Sequence, residues 1–245
     1  MTIHGRIEGE VAIIGIDRPE ARGALRLADW QALADAIGTA MADDAVKALV
    51  LTGRDRHFCA GADIGEIAHR RTEPGWAEAK YAAVRACNRG LALGPKPVVA
   101  AIGGDAIGGG CGLALAADVR IAHPAARFGI TPARLGVAYA RFDTALLVAA
   151  VGHGEARRLL TTAALIDAGE ASRIGLVHRL ADDPLAAALA EAAVIARLSA
   201  HSIAHSKAML GAMLADDDDA SRAAFISAYA RGEMGERAAA FGKAR

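Results

Sequence analysis

Short apolar runs alternate with longer stretches in which apolar residues recur at helical spacing. The runs predict buried β-strands at residues 11–16, 48–53, 98–102 and 119–122. Alanine, leucine and isoleucine recur three and four residues apart over residues 27–41, which predicts an amphipathic helix. Another helix is predicted at residues 110–117, at the end of a run of three glycines. Strands that alternate with helices indicate an α/β core.

Strand patterns end at about residue 183, and the remaining patterns are helical. The predicted helices lie at residues 186–198, 203–214 and 221–231. Four aspartates at residues 216–219 separate two of them and predict a solvated loop and a helix start. The sequence therefore predicts a core over residues 1–183 and a helical region over residues 184–245.

The composition excludes several classes of protein. Hydrophobic residues make up 53% of the 245 residues, and 28 basic side chains balance 28 acidic ones. Intrinsic disorder requires low hydrophobicity and high net charge, so this chain is expected to fold around a substantial core. A net charge of zero argues against general binding of nucleic acid or membrane surfaces, because phosphates and anionic lipids would not attract it. The many alanines predict close helix packing.

The cysteines and the first residues bear on the compartment. Cys59, Cys87 and Cys111 are an odd number without metal-ligand spacing, which predicts free thiols in a reducing compartment. The first ten residues contain acidic side chains and lack the apolar stretch of a secretion signal. The glycine-rich uncharged segment 106–117 is too short to span a bilayer. We therefore expect a cytoplasmic protein.

Two segments of small residues are candidates for chemistry. Residues 57–64 follow a predicted strand and a charged loop, and residues 107–114 place three glycines at the start of a helix. Glycine permits close approach of backbone, and a helix N-terminus offers unpaired N–H groups. Such backbone can hold an oxyanion or a phosphate. The alternative is a tight turn that packs the helix on a strand, and for glycines alone it is the commoner one.

An ordered series of segments resembles the enoyl-CoA hydratase/isomerase (crotonase) superfamily along nearly the whole chain. The segments are residues 17–25, 48–53, 58–64, 96–102, 108–110, 116–122, 128–129, 135–136, 166–171 and 175–177. The resemblance implies a spiral of ββα units with a C-terminal helical trimerisation region, assembled as a homotrimer or a dimer of trimers. It also implies an acyl-CoA thioester substrate bound by the core, with coenzyme A as part of the substrate, no separate cofactor and no metal.

The same resemblance places site residues by position. Two backbone N–H groups that bind the thioester oxygen and stabilise an enolate match Ala62 and Gly109, and donors fixed in advance need no reorganisation. Carbonyls around Ala60, Ala62 and Ile64 match the adenine contacts, and Lys243 aligns loosely with a basic residue that meets a CoA phosphate. Further residues expected at the substrate are Ala21, Arg22, Asp63, Gly108, Gly110, Pro132, Leu135 and Arg141.

Both glutamates with which hydratases of this family activate water are missing. The first would stand at Gly112 and the second at Pro132. Neither side chain can transfer a proton, whereas a general acid or base typically contributes about 10²–10⁴-fold. The usual hydration route, and the isomerase route that keeps the second glutamate, therefore lack their acid–base groups.

Residues 128–139 resemble the methylmalonyl-CoA decarboxylase-like branch, with Thr-Pro, Leu-Gly-Val and a tyrosine in the same register. That branch also lacks the glutamates, and its tyrosine, here Tyr139, orients the carboxylate that is lost. The match is partial, because the branch usually has histidine where Ala62 stands. Arg141 is a candidate to hold a substrate carboxylate and Asp143 to act as a relocated acid or base. Their ordinary alternatives are a surface cation and a helix N-cap.

Three functions follow. The favoured one is an acyl-CoA enzyme that stabilises a thioester enolate and catalyses decarboxylation or another base-independent step, since decarboxylation forms the enolate without a base. The second is a true enoyl-CoA hydratase that uses Asp143. The third is a non-catalytic acyl-CoA-binding protein.

Other polar residues are expected to be structural. His201 and His205 are four residues apart, but no third metal ligand accompanies them. Cys111 is expected to pack as a small apolar residue, although its place near a helix start could lower its pKa. Asp63 and Glu66 are expected chiefly to cap and orient the following helix.

Overall fold

A computed structural model describes residues 2–216 and 218–243. Its strands are β1 (Ile3–Glu8), β2 (Val11–Ile16), β3 (Ala48–Gly53), β4 (His57–Cys59), β5 (Val98–Ile102), β6 (Asp105–Ile107), β7 (Val119–Ala122), β8 (Arg127–Gly129), β9 (Leu165–Asp167) and β10 (Arg179–Leu180). Its α-helices are α1 (Leu27–Ala42), α2 (Ile64–Arg70), α3 (Trp76–Leu93), α4 (Gly109–Ala116), α5 (Pro132–Leu135), α6 (Arg141–Thr162), α7 (Ala168–Arg173), α8 (Pro184–Ile195), α9 (Ala200–Ala212), α10 (Asp219–Ala230) and α11 (Gly232–Lys243).

The strands form two sheets. The larger has the order β1-β2-β3-β5-β7-β10 and is parallel except for β1, which pairs antiparallel with β2. The smaller has the order β4-β6-β8-β9, with β9 antiparallel to β8. Every residue of β2 and β5 is buried, as expected of parallel strands covered on both faces.

Successive strand pairs place one strand in each sheet. The chain passes from β3 to β4, from β5 to β6 and from β7 to β8, and each pair leads into a helix. The predicted spiral of ββα units is therefore confirmed. Because β4 pairs in parallel with β6, the two glycine-rich segments that follow these strands emerge side by side.

The C-terminal helices pack onto this core. Helix α8 covers one face of the larger sheet, where Ala188 and Ala192 contact the buried valines of β3 and β5. Helix α10 packs against α3, and α11 packs against α2 and α5. The predicted helical region is thus present, and α10 returns to the wall of the candidate site described below.

The aspartate run starts a helix, as predicted. The side chain of Asp218 is the N-cap of α10 and accepts a hydrogen bond from the Ser221 amide at 2.8 Å. Asp217 lies outside the described residues. In the described part of the chain no helix alone has the length and apolar composition to cross a membrane, whereas the bent pair of α8 and α9 meets that test jointly.

Candidate active site

Most of the residues predicted to bind substrate converge on a cleft of about 260 Å³, called the cleft below. Its walls come from the segment after β4, the glycine loop before α4, the turn around α5, and one face each of α3 and α10. The predicted residues that line it are Arg22, Ala60, Ala62, Ile64, Gly108, Gly109, Pro132, Leu135, Tyr139 and Asp143.

The amide of Ala62 faces the cleft because of how its neighbours pair with Leu25. The Leu25 N–H donates to the Gly61 carbonyl at 2.8 Å, and the Leu25 carbonyl accepts from the Asp63 N–H at 3.0 Å. Successive amides of extended backbone point to opposite sides. The N–H of Ala62 therefore points away from Leu25, and it donates to no acceptor among the described residues.

A second free amide belongs to the first residue of α4. Gly108 turns the chain into this helix with φ 56° and ψ −117°, which glycine adopts without steric cost. The first amides of a helix lack an intrahelical acceptor, and that of Gly109 has no other described partner. A Cβ on Gly61 would lie 2.6 Å from the Ile107 oxygen and 3.0 Å from the Gly109 nitrogen. The two segments therefore touch backbone to backbone.

Two residues predicted to contact substrate support this wall. A Cβ on Gly110 would collide with the carbonyl of Cys59, so glycine is required for α4 to approach β4. Ala21 ends the 3-10 turn Pro19–Ala21. Neither residue lines the cleft, and their assignment as substrate contacts stays a prediction.

Asp63 also lies outside the cleft wall and caps α2. Its carboxylate accepts the Glu66 amide at 2.9 Å and the Arg18 guanidinium at 2.6 Å. Burial opposes its ionisation, yet these two donors lower the pKa of Asp63. The Glu66 carboxylate accepts the Leu27 amide at 2.8 Å. The predicted capping role of Asp63 is confirmed, whereas Glu66 holds the first residue of α1. A substrate contact of Asp63 stays a prediction.

Polar groups gather beside Gly112, where a family hydratase would carry its first glutamate. A Cβ on Gly112 would lie 3.4 Å from both Tyr139 Oη and Asn88 Nδ2. Asn88 Nδ2 donates to Asp143 Oδ1 at 2.8 Å. The Tyr139 hydroxyl is buried without a hydrogen-bond partner among the described residues. Burial, aided by the charges of Asp143 and Cys111, raises the pKa of Tyr139, so the hydroxyl remains a neutral donor.

Asp143 and Arg141 differ in orientation although both begin α6. Ala140 is the N-cap of this helix, so the N-cap alternative for Asp143 is wrong; its side chain is buried and lines the cleft. Arg141 is half exposed and donates to Asp218 at 2.6 Å. It does not line the cleft, and its exposure and its ion pair agree with the surface cation of the alternative. Its role toward a substrate carboxylate stays a prediction.

Comparison with known proteins identifies the family of the chain. The sequence model described as enoyl-CoA hydratase/isomerase matches residues 6–230. The chain is 40% identical over 177 residues to a short-chain-enoyl-CoA hydratase of Clostridium acetobutylicum, covering 71% of this chain and 67% of that protein. The chain belongs to the enoyl-CoA hydratase/isomerase family.

Solved structures agree with this assignment. An enoyl-CoA hydratase/isomerase from Mycobacterium paratuberculosis has a TM-score of 0.89 at 25% identity, over 98% of each chain. Another from Pseudoalteromonas atlantica T6c has a TM-score of 0.84 at 27% identity, over 100% of this chain and 98% of that one. The crotonase-type fold is therefore confirmed, and the chain is an acyl-CoA enzyme of this family. Its relation to the decarboxylase-like branch stays a prediction.

This family member presents no carboxylate at either hydratase position. Gly112 is buried within α4, and Pro132 is the first residue of α5 and lines the cleft. Leu135 and Val137 continue the Pro132 side as an apolar wall. The carboxylates that do line the cleft come from other elements: Asp143 from α6, and Asp105 from β6, where it pairs with Arg127.

Helix α3 contributes cleft residues that the sequence did not reveal. Lys80 lines the cleft, and Asn88 holds Asp143 from the same helix. Buried positions recur along α3 at helical spacing, from Trp76 and Ala77 to Leu91. The polar Lys80 and Asn88 interrupt this apolar face. Polar residues at buried positions of a helical pattern were the signal from which these two cleft residues could have been found.

Aromatic residues of α10 also line the cleft. Phe225 and Tyr229 come from the predicted helical region and not from residues 1–183. The Tyr229 ring packs edge-on against Trp76 at 5.3 Å, and Phe225 packs against Tyr81 at 5.3 Å. These contacts hold α10 on α3 and close one side of the cleft.

Arginines surround part of the cleft. Arg22, Arg127 and Arg134 line it, and Arg127 pairs with Asp105 at 2.5 Å. Arg22 and Arg127 are exposed. A zero net charge on the whole chain is therefore compatible with a locally positive rim that can attract an anionic ligand. The side chain of Lys243, the other candidate cation, lies outside the described residues.

The remaining candidates are structural. Burial raises the pKa of Cys111 to about 12, so a pKa lowered by the helix start is not found. His201 and His205 are exposed on α9. Within residues 2–216 and 218–243, no three His, Cys, Asp or Glu side chains form a group that could hold a metal ion.

Proposed function

We propose that this family member binds an acyl-CoA thioester with its carbonyl oxygen between the amides of Ala62 and Gly109. Both residues line the cleft, and their N–H groups have no acceptor among the described residues, which supports this assignment. Held at fixed positions, they stabilise the negative charge of an enolate more than that of the ground-state carbonyl. Coenzyme A enters as part of the substrate, and the arginine rim suits its phosphates.

The enolate is formed by decarboxylation. Electrons of the bond between the α-carbon and the carboxylate move into the thioester, carbon dioxide leaves, and the α-carbon later takes a proton. This route needs no general base, in keeping with Gly112 and Pro132. The single observation that carries it is the buried Tyr139 hydroxyl, which lines the cleft and has no described partner. A buried donor without an acceptor costs about 1–3 kcal/mol, and a substrate carboxylate would satisfy it.

A mass-spectrometric screen of carboxylated, unsaturated and saturated acyl-CoAs tests this proposal. We expect carbon dioxide loss from a carboxylated acyl-CoA. With Tyr139→Phe, which keeps the ring and removes the hydroxyl, we expect kcat about 10–100-fold lower, in line with the loss of one positioned donor. Full activity of Tyr139→Phe on the preferred substrate would remove Tyr139 from the mechanism.

Gly109→Pro and Gly109→Ala test the oxyanion site as a matched pair. Proline is tolerated at the first position of a helix and removes the N–H. Alanine keeps the N–H and adds the same Cβ, which would lie 3.0 Å from the Trp30 ring in both variants. We expect Gly109→Pro to lose about 10²–10³-fold in kcat relative to Gly109→Ala. Equal kcat values for the two variants would contradict the assignment of the Gly109 amide to the oxyanion site.

Hydration is the second candidate, because Asp143 is a buried carboxylate in the cleft wall, oriented by Asn88. In this mechanism Asp143 activates water for addition to an enoyl-CoA. Crotonyl-CoA offered to wild type and to Asp143→Asn decides the matter. A 3-hydroxy product that depends on Asp143 would support hydration, and its absence at high enzyme concentration would exclude it.

A non-catalytic acyl-CoA-binding protein remains a third candidate, suggested by the two missing glutamates. Calorimetry that detects CoA-thioester binding, together with no turnover on the full panel, would favour it. A homotrimer or a dimer of trimers in the cytoplasm is part of the proposal; analytical ultracentrifugation tests the assembly.

A further inference from the structure

We infer that Lys80 is a positioning residue for the oxyanion site: its ammonium group fixes Leu25, and Leu25 aims the amide of Ala62. This inference rests on the proposed function, because it assigns Lys80 a task only if the Ala62 amide binds the thioester oxygen. Nothing in the family resemblance gives Lys80 a role.

The hydrogen bonds form a direct chain from the lysine to the amide. Lys80 Nζ donates to the Leu25 carbonyl at 3.2 Å. The same carbonyl accepts the Asp63 amide, and the Leu25 amide donates to Gly61. The residues on both sides of Ala62 are thus tied to Leu25, and Leu25 is tied to Lys80. Loss of the ammonium would free one end of this arrangement.

A carboxylate strengthens the hold on the same segment. Glu66 Oε2 lies 3.8 Å from Lys80 Nζ and accepts the Leu27 amide at 2.8 Å. The pair therefore hydrogen-bonds to the backbone at two points, with Lys80 at Leu25 and Glu66 at Leu27. Both side chains belong to helices, α2 and α3, which hold them in place.

The burial of Lys80 indicates a specific task. Its side chain is 1% exposed and its Nζ lies 5.6 Å and 5.8 Å from the ring centroids of Trp30 and Trp76. A buried ammonium is costly, and an apolar residue of similar volume often packs as well or better. The cation also lines the cleft, so its positive charge acts on the site as well as on the backbone.

The ionisation of Lys80 gives this inference a pH signature. Burial lowers the pKa of Lys80 to about 8, against the opposing charges that face it from Glu66, Asp63, Cys59 and Asp29. The ammonium is therefore charged below pH 8 and neutral above it. The oxyanion site is expected to weaken as pH rises through about 8.

Infrared spectroscopy of a bound thioester tests the inference. The probe is butyryl-CoA labelled with ¹³C at its carbonyl, whose stretching frequency falls when hydrogen bonds polarise it. We expect a downward shift in wild type that Lys80→Met largely loses, with affinity changed less than about threefold. Lys80→Arg retains the charge and is expected to restore the shift. Turnover should follow the same order, with kcat about 10–100-fold lower in Lys80→Met and KM little changed.

Lys207→Met is the matched control. Lys207 is also buried, donates to the Leu91 carbonyl at 3.1 Å and pairs with Asp118 at 2.5 Å, but it does not line the cleft. This variant is expected to keep the full carbonyl shift. If Lys80→Met fails to fold, the pH titration of wild type against Lys80→Arg decides, because only wild type should lose the shift near pH 8.

The outcomes separate the two proposals. A wild type that binds butyryl-CoA without any shift overturns the oxyanion site and the role of Lys80 together. A wild-type shift that Gly109→Pro abolishes and Lys80→Met leaves intact retains the oxyanion site and overturns the inference about Lys80. A wild-type carbonyl shift that stays constant from pH 7 to pH 9 also contradicts the inference about Lys80.

Discussion

A few small residues decide what chemistry this cleft can perform. Gly112 leaves a space that Tyr139 and Asn88 border at 3.4 Å, and Pro132 offers only an apolar surface. Neither position can therefore supply the proton-transfer group of a hydratase, and Tyr139 and Asp143 are the groups for which such a role is proposed. The absence of a side chain at Gly112 matters because it leaves the buried Tyr139 hydroxyl without the partner that a glutamate at this position would provide.

Gly112→Glu tests the importance of that missing side chain. The new carboxylate would lie beside Tyr139 and Asn88 and would accept the tyrosine hydroxyl. We expect decarboxylation to fall at least about tenfold, as the hydroxyl loses its substrate role. Hydration of crotonyl-CoA should rise above wild type, since one general acid or base typically contributes about 10²–10⁴-fold. Product analysis by chromatography measures both reactions.

Gly112→Gln is the control for this change. Glutamine has the same size and cannot transfer a proton, so it should lower decarboxylation without raising hydration. Equal hydration by the two variants, or by neither, would show that position 112 does not reach the reacting carbons.

At the scale of elements, close backbone contact between α4 and β4 brings together the two amides of the proposed oxyanion site. The glycines of α4 are needed for this packing: a Cβ on Gly110 would collide with the Cys59 carbonyl. The N-terminus of the helix is thereby brought against residues 60–62, and both free amides reach one wall. The packing interpretation of the glycine run is therefore confirmed for Gly110, and the binding interpretation is the one proposed for its neighbour Gly109.

Alanine substitutions at two helical glycines should have opposite effects on stability. Gly110→Ala is expected to lower the free energy of unfolding by about 1–3 kcal/mol, because overpacking forces α4 away from β4. A Cβ on Gly38 in α1 would meet no neighbouring atom within 4 Å, so Gly38→Ala should raise the same quantity by about 0.5–1 kcal/mol. Urea denaturation of both variants measures these changes. A Gly110→Ala protein as stable as wild type would contradict the close contact described here.

The elements that could be predicted are those with a regular pattern of apolar residues. The strands β2, β3, β5 and β7 are predicted with their observed bounds, because continuous apolar runs are characteristic of central parallel strands. Helix α3 escaped prediction because Lys80 and Asn88 occupy its buried face. Short strands such as β6 carry too few residues for a period to be recognised.

Most of the predicted residues that line the cleft, Ala62 and Gly109 among them, are placed by the resemblance to the family. The small residues at a strand end and a helix start indicate only that backbone in these two segments could bind a ligand. Side chains that reach the cleft from distant segments, such as Lys80 and Phe225, depend on tertiary packing that no local pattern contains. The orientation of Arg141 and Asp143, two residues apart on α6, depends likewise on which neighbours each meets.

At the scale of the whole molecule, three buried thiols make the free energy of unfolding depend on pH in the alkaline range. Burial raises the pKa of Cys59 and of Cys111 to about 12 and raises that of Cys87 further. In the unfolded chain these thiols ionise near their ordinary pKa of about 8.5. The folded protein therefore retains protons that the unfolded chain loses. Their contribution to stability is fully present below about pH 8.5 and declines as pH rises toward the folded pKa values.

Cys87 allows this contribution to be isolated, because it lies on α3, outside the backbone segments that form the oxyanion site. We expect the free energy of unfolding of wild type to fall relative to Cys87→Ala by about 2 kcal/mol between pH 7.5 and pH 10. Taking this difference cancels the opposite trend from Lys80, whose lowered pKa adds stability as pH rises from about 8. Urea titrations under reducing conditions provide the measurement.

Val84→Ala, a truncation on the same helix without a titratable group, should shift stability equally at both pH values. A difference between wild type and Cys87→Ala that also stays constant would mean that the folded protein admits the thiolate, contrary to the burial of this thiol in the core.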